Sequence, residues 1–351
     1  MIIDDLLREA VLRRASDLHL TVEAAPTIRV NGTLIRLDLP VLNAEDTRQL
    51  FESIATADRR QQLQQTGEVD FSHAICGIGR FRINAFRQRG ATAIAIRVIA
   101  EKTPTLDQLG LPDIIKTFSR KPRGLVLVTG PTGSGKSTTM AAMIDLINEE
   151  RRCNIITLED PIEYLHRHKN SLVNQREIGA DTQSFANALR AALREDPDVI
   201  LVGEMRDMDT ISIAVRAAET GHLVLATLHT GDAAQTIDRI LDFFPPHQQQ
   251  QIRVQLSLSL QGIVAQQLLP RQDGSGRVAA VEVLVATPAV RNLIREGKSH
   301  QLLSVIQTGA KSGMQSMDAA LRDLCCAGIV ADEEAMERVM DLENFLRLRR
   351  G

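Results

Sequence analysis

A glycine-rich stretch near the middle of the chain has the residue types of a phosphate-binding loop. It fits the pattern G-x-x-x-x-G-K-[ST], in which a lysine and a hydroxyl follow the last glycine directly. Glycines let backbone N–H groups close around phosphate oxygens, and a helix N-terminus adds partial positive charge. The pattern predicts a nucleoside triphosphate site made by Gly130, Pro131, Thr132, Gly133, Ser134, Gly135, Lys136, Ser137 and Thr138.

Two side chains of this loop have separate predicted tasks. Lys136 is expected to reach the β- and γ-phosphates of ATP, and the Ser137 hydroxyl is expected to bind Mg²⁺. A β-branched apolar run at 125–129 precedes the loop, and 138–150 has the apolar spacing of a helix. The sequence therefore predicts the strand, loop and helix that this chemistry requires.

Carboxylates follow a second predicted strand, at residues 154–158. Glu159, Asp160 and Glu163 all lie at or just beyond its end. Two interpretations stay open. The carboxylates either position Mg²⁺ and water, or they form a solvated turn that caps the next element.

A further carboxylate, Glu204, comes at the end of the apolar run 199–202, which has the form of a Walker B strand. Gly203 stands where an aspartate is usual, so more of the metal binding passes to Ser137, water and the other carboxylates. Glu204 is predicted to orient or activate the attacking water. Ser137 and Glu204 are thus the predicted Mg²⁺ ligands, the latter directly or through water.

Two histidines bracket a fourth predicted strand, at 223–227. His222 precedes this strand and His229 follows it. A histidine at a strand end beside a phosphate site senses the γ-phosphate through a hydrogen bond. A purely structural role for each histidine is an equal alternative.

The elements that position these residues divide the chain into two predicted domains. The first third alternates short helices and strands, with a hairpin turn at Asn31-Gly32, and indicates a small α+β domain. From Gly124 onward, apolar strands alternate with helices, which indicates a parallel sheet with helices on both faces. The end of the chain, from Ala289, is predicted to be mostly helical. The predicted domains are 1–118 and 119–351.

Composition limits the classes of protein that this chain can be. Its 351 residues are 44% apolar and carry a net charge of -3, without the basic excess of a nucleic-acid binder. The N-terminus is acidic where a signal peptide is basic, and no apolar run approaches the length of a membrane span. The four cysteines lack metal-ligand spacing and are predicted to be reduced thiols. We expect a soluble protein that meets a membrane only through partners.

The four polar clusters, in this order, resemble the secretion-ATPase superfamily of RecA-like motors. In that superfamily they are the Walker A loop, the Asp box, the Walker B motif and the His box. The chain resembles most closely the retraction ATPases of type IV pili, the PilT family, over nearly its whole length. The segments that carry this resemblance are 16–20, 79–86, 172–177, 193–198 and 289–296, with Val290 where isoleucine is common.

The resemblance implies a fold and a set of functional residues. The fold is α/β, with a PAS-like α+β N-terminal domain followed by a RecA-like P-loop ATPase domain, assembled as a homo-hexamer. Arginines of the N-terminal domain are implied to reach nucleotide at a subunit interface, and Arg82 and Arg97 match best. An ordinary salt bridge inside the small domain is the alternative for Arg97. The other residues implied to be functional are Lys136, Glu163, Glu204, His222 and His229.

The segment 289–296 matches one that this family uses for retraction. Helical spacing predicts that Val290, Leu293 and Ile294 pack inward. The same spacing turns the remaining polar side chains outward, which predicts a functional surface. These side chains are Arg291, Asn292, Arg295 and Glu296.

The implied function is a motor that hydrolyses ATP to retract type IV pili and so drives twitching motility. The implied partners are an inner-membrane platform protein and a second PilT-like ATPase, and the implied place is the cytoplasm at the inner face of the membrane. No nucleic-acid partner is expected.

Four alternatives stay open. One is a paralogue, such as an accessory retraction ATPase. Another is a pilus-extension or type II secretion ATPase, although such relatives usually carry an added N-terminal domain, and many carry a tetracysteine zinc motif. A RecA-like nucleic-acid motor conflicts with the acidic charge balance. A non-catalytic ring subunit conflicts with the presence of Lys136, Ser137 and Glu204.

Overall fold

The structure of the protein is a computed structural model that describes residues 2–30, 32–75, 77–99, 103–342 and 345. The chain divides into two compact units. The first comprises the described part of 1–102 together with Glu163–Leu165, and the second comprises the rest. Asn31 of the predicted hairpin turn and Cys76 lie outside the described residues.

The first unit contains one sheet whose neighbouring strands are all antiparallel. Its described residues give the strand order β3-β2-β1-β6-β5-β4. The helices of this unit are α1 (Ile3–Leu12), α2 (Ala44–Ile54) and α3 (Ala57–Thr66). The strands are β1 (Asp17–Leu20), β2 (Thr27–Val30), β3 (Thr33–Arg36), β4 (Glu68–Ile75), β5 (Gly79–Gln88) and β6 (Ala91–Ile99).

Strand β5 shows how the sequence builds this sheet. Phe81, Ile83 and Ala85 alternate with polar residues, and all three are completely buried. Because side chains alternate between the two faces of a strand, the polar residues between them lie on the opposite face. Arg82 is on that face and pairs with Arg97 of β6 in the strand register.

The second unit is built on a larger, mixed sheet. Its described residues give the order β13-β12-β7-β11-β10-β8-β9. The strands are β7 (Gly124–Thr129), β8 (Asn154–Glu159), β9 (Leu172–Glu177), β10 (Val199–Val202), β11 (Leu223–Leu228), β12 (Leu260–Pro270) and β13 (Arg277–Val285). The helices are α4 (Ile114–Ser119), α5 (Lys136–Glu150), α6 (Phe185–Ala192), α7 (Met208–Thr220), α8 (Ala233–Asp242), α9 (Pro246–Ser259), α10 (Pro288–Glu296), α11 (Leu302–Thr308), α12 (Met317–Cys326) and α13 (Asp332–Met336).

The parallel part of this sheet contains all four strands that the sequence predicts. Strands β7, β8, β10 and β11 pair in parallel, so their carboxyl ends meet at one edge. The sheet as a whole is not parallel, because β13 pairs antiparallel with β12. The short connection between these two strands, 271–276, is too short for a parallel crossover and returns the chain antiparallel to itself.

The described units divide earlier than residue 118, where the sequence predicts the domain boundary. Leu106, Ile115 and Phe118 are buried in the same apolar cluster as Val126 and Val128 of β7. Residues 103–118 therefore pack with the second unit. Among the described residues, no helix is both long enough and apolar enough to cross a membrane.

Candidate functional site

The phosphate-binding loop lies where β7 ends and α5 begins. Gly130, Gly133 and Gly135 have φ angles of 144°, 79° and 88°. Side chains other than hydrogen are strained in this backbone region, so the loop needs glycine at these positions. The helix starts at Lys136, which directs its first N–H groups into the loop.

Lys136 is turned back into the loop. Its Nζ donates hydrogen bonds to the carbonyl oxygens of Gly130, at 2.8 Å, and Pro131, at 2.9 Å. Ser137 is exposed on the first turn of α5, and Thr138 follows it, half-buried. The hydroxyls of Thr129 and Ser134 are buried without a hydrogen-bond partner. Because buried hydroxyls are normally satisfied, these two fit a site that takes up a polar ligand.

Glu204 lies just past the end of β10, close to the loop. Its Oε1 is 3.1 Å from Nε2 of His229, at the end of β11, and 2.6 Å from Nε of Arg206. The other ring nitrogen of His229 is 3.5 Å from Lys136 Nζ. A polar chain therefore runs from Lys136 through His229 to Glu204 and Arg206, along three neighbouring strand ends.

The surroundings of the Glu204 carboxylate lower its pKa. Burial acts to raise its pKa, but the hydrogen bond from Arg206 and the neighbouring His229 outweigh burial, so the pKa of Glu204 lies below its usual value. A carboxylate with a lowered pKa is a weak base but a good hydrogen-bond acceptor. The geometry suits a group that orients water more than one that removes its proton.

Gly203, which stands where the Walker B motif usually has an aspartate, lies in a tight space. A Cβ at this position would lie 3.0 Å from the carbonyl oxygen of Leu158 and 3.3 Å from Cα of Glu159. The backbone of β8 is therefore too close for a side chain to fit without movement.

The structure does not bring His222 to this site. His222 precedes β11, whereas the loop follows β7, and the two strands are parallel. At about 3.3 Å per residue, the strand separates His222 from His229 by about 23 Å. The His222 side chain instead contacts the carbonyl oxygen of Ala217, near the end of α7, at 3.0 Å. This contact fits the structural alternative that the sequence left open, and the functional role implied for His222 stays a prediction.

Glu163 is also separate from the polar chain. It is exposed in the connection after β8, in the segment that groups with the first unit. At the end of β8 itself, Glu159 Oε1 accepts hydrogen bonds from Thr157, at 2.6 Å, and Gln175, at 3.1 Å. The carboxylate that the parallel sheet places beside the loop is thus Glu204.

Arg82 and Arg97 face each other across β5 and β6. Both side chains are partly exposed, and each is held by a carboxylate. Arg82 Nη2 is 2.9 Å from Asp70, and Arg97 Nε is 3.2 Å from Asp17. Like charges directly opposite each other in a sheet are unfavourable, so these two carboxylates compensate the pair. The local salt bridge that the sequence left open for Arg97 is present.

Sequence reasoning missed two features of this site. Arg206 is only two residues beyond Glu204 and was detectable as a charge after a Walker B strand. A cavity of about 290 Å³ beside the loop was not detectable, because it needs the register of β12 and β13. Its lining includes Leu109, Gly135, Thr138, Gln266, Arg271 and Arg277.

The prediction that Arg291 faces outward is wrong. Its Nη1 donates hydrogen bonds to the carbonyl oxygens of Ser257, at 2.6 Å, and Leu258, at 2.8 Å. These carbonyls lie at the C-terminal end of α9, where a cation is favourable. The other three polar residues predicted to face outward, Asn292, Arg295 and Glu296, are exposed. Arg291 is therefore not part of the outward-facing surface of α10.

The residues present fit Mg²⁺ only together with a nucleotide. Within the described ranges, no group of three or more His, Cys, Asp or Glu side chains is arranged to hold a metal ion. A hydroxyl at Ser137 and a carboxylate at Glu204 are oxygen donors of the kind Mg²⁺ takes, and nucleotide phosphates usually supply the others.

Comparisons with known proteins agree with this geometry. The family described as Type II/IV secretion system protein matches residues 1–337. The "Type IV pilus retractation ATPase PilT" of Pseudomonas aeruginosa is 49% identical over 345 residues, which is 98% of this chain and 100% of that protein. The "Type IV pilus ATPase PilU" of the same organism is 43% identical over 98% of this chain and 90% of its own length.

A solved structure is similar over the same extent. The crystal structure of the pilus retraction motor PilT with bound ADP superposes with a TM-score of 0.92 at 51% identity, and covers 99% of both chains. At this coverage the match extends over both units. This chain therefore belongs to the Type II/IV secretion system protein family, and within it to the PilT-type ATPases.

Proposed function

We propose that this protein is a hexameric motor that hydrolyses ATP to retract type IV pili, removing pilins and driving twitching motility. One observation carries the proposal. A complete P-loop backed by Glu204 and His229 lies in a chain that is 49% identical, over 98% of its length, to a pilus retraction ATPase. The supporting fold is an α/β ATPase unit preceded by a smaller antiparallel unit.

In the proposed site, Lys136 leaves the carbonyls of Gly130 and Pro131 and contacts the phosphates of ATP. The loop N–H groups surround those phosphates, and Ser137 binds the Mg²⁺ that accompanies them. Mg²⁺ neutralises charge on the phosphates. Glu204 orients the attacking water, and His229 links that carboxylate to Lys136. The cavity beside the loop takes the nucleoside.

The proposed ring completes the site with arginines. Arg82 and Arg97 present two guanidinium groups side by side on one face of the first unit. A cation brought to the γ-phosphate stabilises the negative charge that develops there. We assign these arginines to a neighbouring protomer's nucleotide, and the two units to the PAS-like and RecA-like domains that the resemblance implies. Glu163 keeps its implied role as a prediction.

The proposed cellular location and partners follow from the proposed retraction of pili. Pilus retraction needs a platform protein in the inner membrane, so we place this protein in the cytoplasm, at the inner face of that membrane and bound through partners. A second PilT-like ATPase is a further proposed partner. The net charge of -3 gives no support to a nucleic-acid partner.

The second candidate is an accessory retraction ATPase of the same family. It is favoured by the 43% identity to PilU, only a little below the identity to PilT. Val290, where isoleucine is common in PilT-type chains, is compatible with either role.

Deleting the gene in its source organism tests these functions. We expect cells that stay heavily piliated but lose twitching, because pili form and are not withdrawn. Restoring the gene should restore movement, and restoring Lys136→Ala should not, since that chain lacks the phosphate-binding cation. Surface pili are counted by electron microscopy and twitching by colony spreading. Loss of pili would identify an extension motor, and unchanged twitching would identify an accessory paralogue.

Charge reversal at two arginines of α10 is expected to have different effects on the free energy of unfolding. Arg291→Glu puts a carboxylate against two carbonyl oxygens at a helix C-terminus, so the free energy of unfolding should fall by about 2 kcal/mol. Arg295→Glu changes an exposed side chain and should alter it by less than about 0.5 kcal/mol. Urea unfolding measures both.

Twitching assays complete the comparison of these two arginines. If α10 is a retraction surface, Arg295→Glu should impair twitching in a protein that folds normally. Equal stability of the two variants would show that the Arg291 contacts contribute nothing. Normal twitching with Arg295→Glu would remove this residue from the functional surface.

A further inference from the structure

Gln266 lies on β12 beside the phosphate-binding loop and is almost completely buried, at 3% exposure. Ala265 pairs with Thr129, the last residue of β7, in the parallel register of the two strands. Gln266 is therefore the first residue of β12 beyond that pairing, level with the start of the loop. Neither the sequence motifs nor the polar chain at Glu204 involves this residue.

Both ends of the Gln266 amide are engaged by the loop and its helix. Nε2 donates to the carbonyl oxygen of Ser134 at 2.7 Å, and Oε1 accepts from the hydroxyl of Thr139 at 2.8 Å. The two partners lie on either side of Lys136 in the sequence. One side chain thus ties the last turn of the loop and the first turn of α5 to a neighbouring strand.

The fit between Gln266 and the loop is close. A Cβ at Gly130 would lie 2.2 Å from the backbone oxygen of Gln266, and a Cβ at Gly135 would lie 2.8 Å from its Nε2. Both distances are shorter than real Cβ contacts. Two of the loop glycines are therefore needed for contact with Gln266 as well as for their backbone angles.

The hydrogen bond to Ser134 has a consequence for the nucleotide. The carbonyl of Ser134 and the N–H of Gly135 belong to one planar trans peptide, so they point in opposite directions. Holding the carbonyl against Gln266 therefore turns the Gly135 N–H away from β12. An N–H group aimed in advance binds a phosphate more tightly, because less conformational freedom is lost on binding.

We propose that Gln266 is a positioning residue that fixes the phosphate-binding loop in its nucleotide-ready shape, through Ser134 and Thr139. It acts on nucleotide affinity and not on the chemical step, because both ends of its amide are engaged by the loop and its helix. Its side chain also lines the cavity assigned to the nucleoside, on the binding side of the reaction. The proposal rests on the assignment of this loop as the nucleotide site. The alternative is a buried glutamine that merely satisfies its own hydrogen bonds and contributes to folding alone.

Substitutions on β12 test this proposal. Gln266→Leu removes both hydrogen bonds at similar size, and Gln267→Leu is the matched control on the opposite face of the same strand. The affinity for a fluorescent ADP analogue, the KM and kcat for ATP, and urea unfolding without nucleotide are measured for each. We expect about tenfold weaker ADP binding and a higher KM in Gln266→Leu, with a smaller change in kcat, and no change in affinity in Gln267→Leu.

Thr139→Val supplies a milder variant that keeps the fold. It should weaken ADP binding about threefold, and the double variant Gln266→Leu/Thr139→Val should bind no more weakly than Gln266→Leu alone, because both act through one contact. Unchanged affinity in Gln266→Leu or in Thr139→Val would overturn the proposal. Equal losses of affinity in Gln266→Leu and Gln267→Leu would do the same.

Lys136→Ala separates failure of this proposal from failure of the site. If Lys136→Ala loses ADP while Gln266→Leu binds it normally, the nucleotide site stands and the positioning role falls. If Lys136→Ala binds ADP as the wild type does, the site assignment falls and the role of Gln266 falls with it.

Discussion

Replacing Glu204 by glutamine is expected to abolish most ATP turnover while nucleotide binding survives. The glutamine keeps the size of the side chain and still reaches Arg206 and His229, so the surrounding structure is preserved. It removes the negative charge that orients the attacking water. Removing one preorganised electrostatic group from an active site costs about 10²- to 10³-fold in kcat, so we expect kcat to fall at least about 100-fold. The Kd for the ADP analogue should change less than about twofold.

Three matched variants make this measurement specific. Glu159→Gln changes the carboxylate at the end of the adjacent strand, and Glu163→Gln changes the exposed one in the connection that follows. Glu219→Gln alters a remote exposed carboxylate and serves as the neutral control. Turnover is measured as phosphate release at saturating ATP and Mg²⁺. Wild-type turnover in Glu204→Gln would assign the water to another group, and Glu163 would be tested next by the same assay.

The parts of the site that the sequence predicts are those set by consecutive residues. The strand before the loop, the glycines and the helix after it follow one another directly, and the structure confirms these elements. The position of Glu204 follows in the same way, since an apolar run identifies β10 and a parallel sheet gathers strand ends at one edge. His229 lies at that edge for the same reason.

The parts that the sequence does not predict depend on distant neighbours. Helical spacing gives the face on which Arg291 lies, but not that the end of α9 meets this face. Gln266 becomes visible only when the register between β12 and β7 is known. The assembly of six chains needs contacts that one chain cannot contain, so the hexamer stays a proposal.

Glu282 of β13 is a buried carboxylate between the starts of two helices. Its Oε1 accepts a hydrogen bond from the N–H of Ala233, at the start of α8, at 2.8 Å. Burial, with smaller contributions from the carboxylates of Asp232 and Asp318, raises the pKa of Glu282 to about 7 against the opposing N–H groups of Ala233 and Met317.

The raised pKa predicts how stability depends on pH. Between the ordinary glutamate pKa of 4.5 and about 7, the folded chain holds a proton that the unfolded chain has released. The stabilisation from this proton is complete below the lower value and is lost as pH rises through the higher one. A difference of this size corresponds to about 3 kcal/mol. The contribution of Glu282 to the free energy of unfolding should therefore fall by about this amount from pH 4.5 to 8.

Glu282→Gln removes this titration while it keeps the size of the side chain. At pH 5 we expect the free energy of unfolding of the variant to be equal to that of the wild type or lower. Between pH 5 and pH 8, the free energy of unfolding of the variant should rise by about 3 kcal/mol relative to that of the wild type. Urea unfolding at several pH values, followed by circular dichroism, gives the difference at each pH and cancels contributions that both chains share. Glu219→Gln is measured in the same way as a control for the loss of an exposed carboxylate. A pH-independent difference between Glu282→Gln and the wild type would mean that Glu282 is ionised throughout, and that the N–H groups of Ala233 and Met317 outweigh its burial.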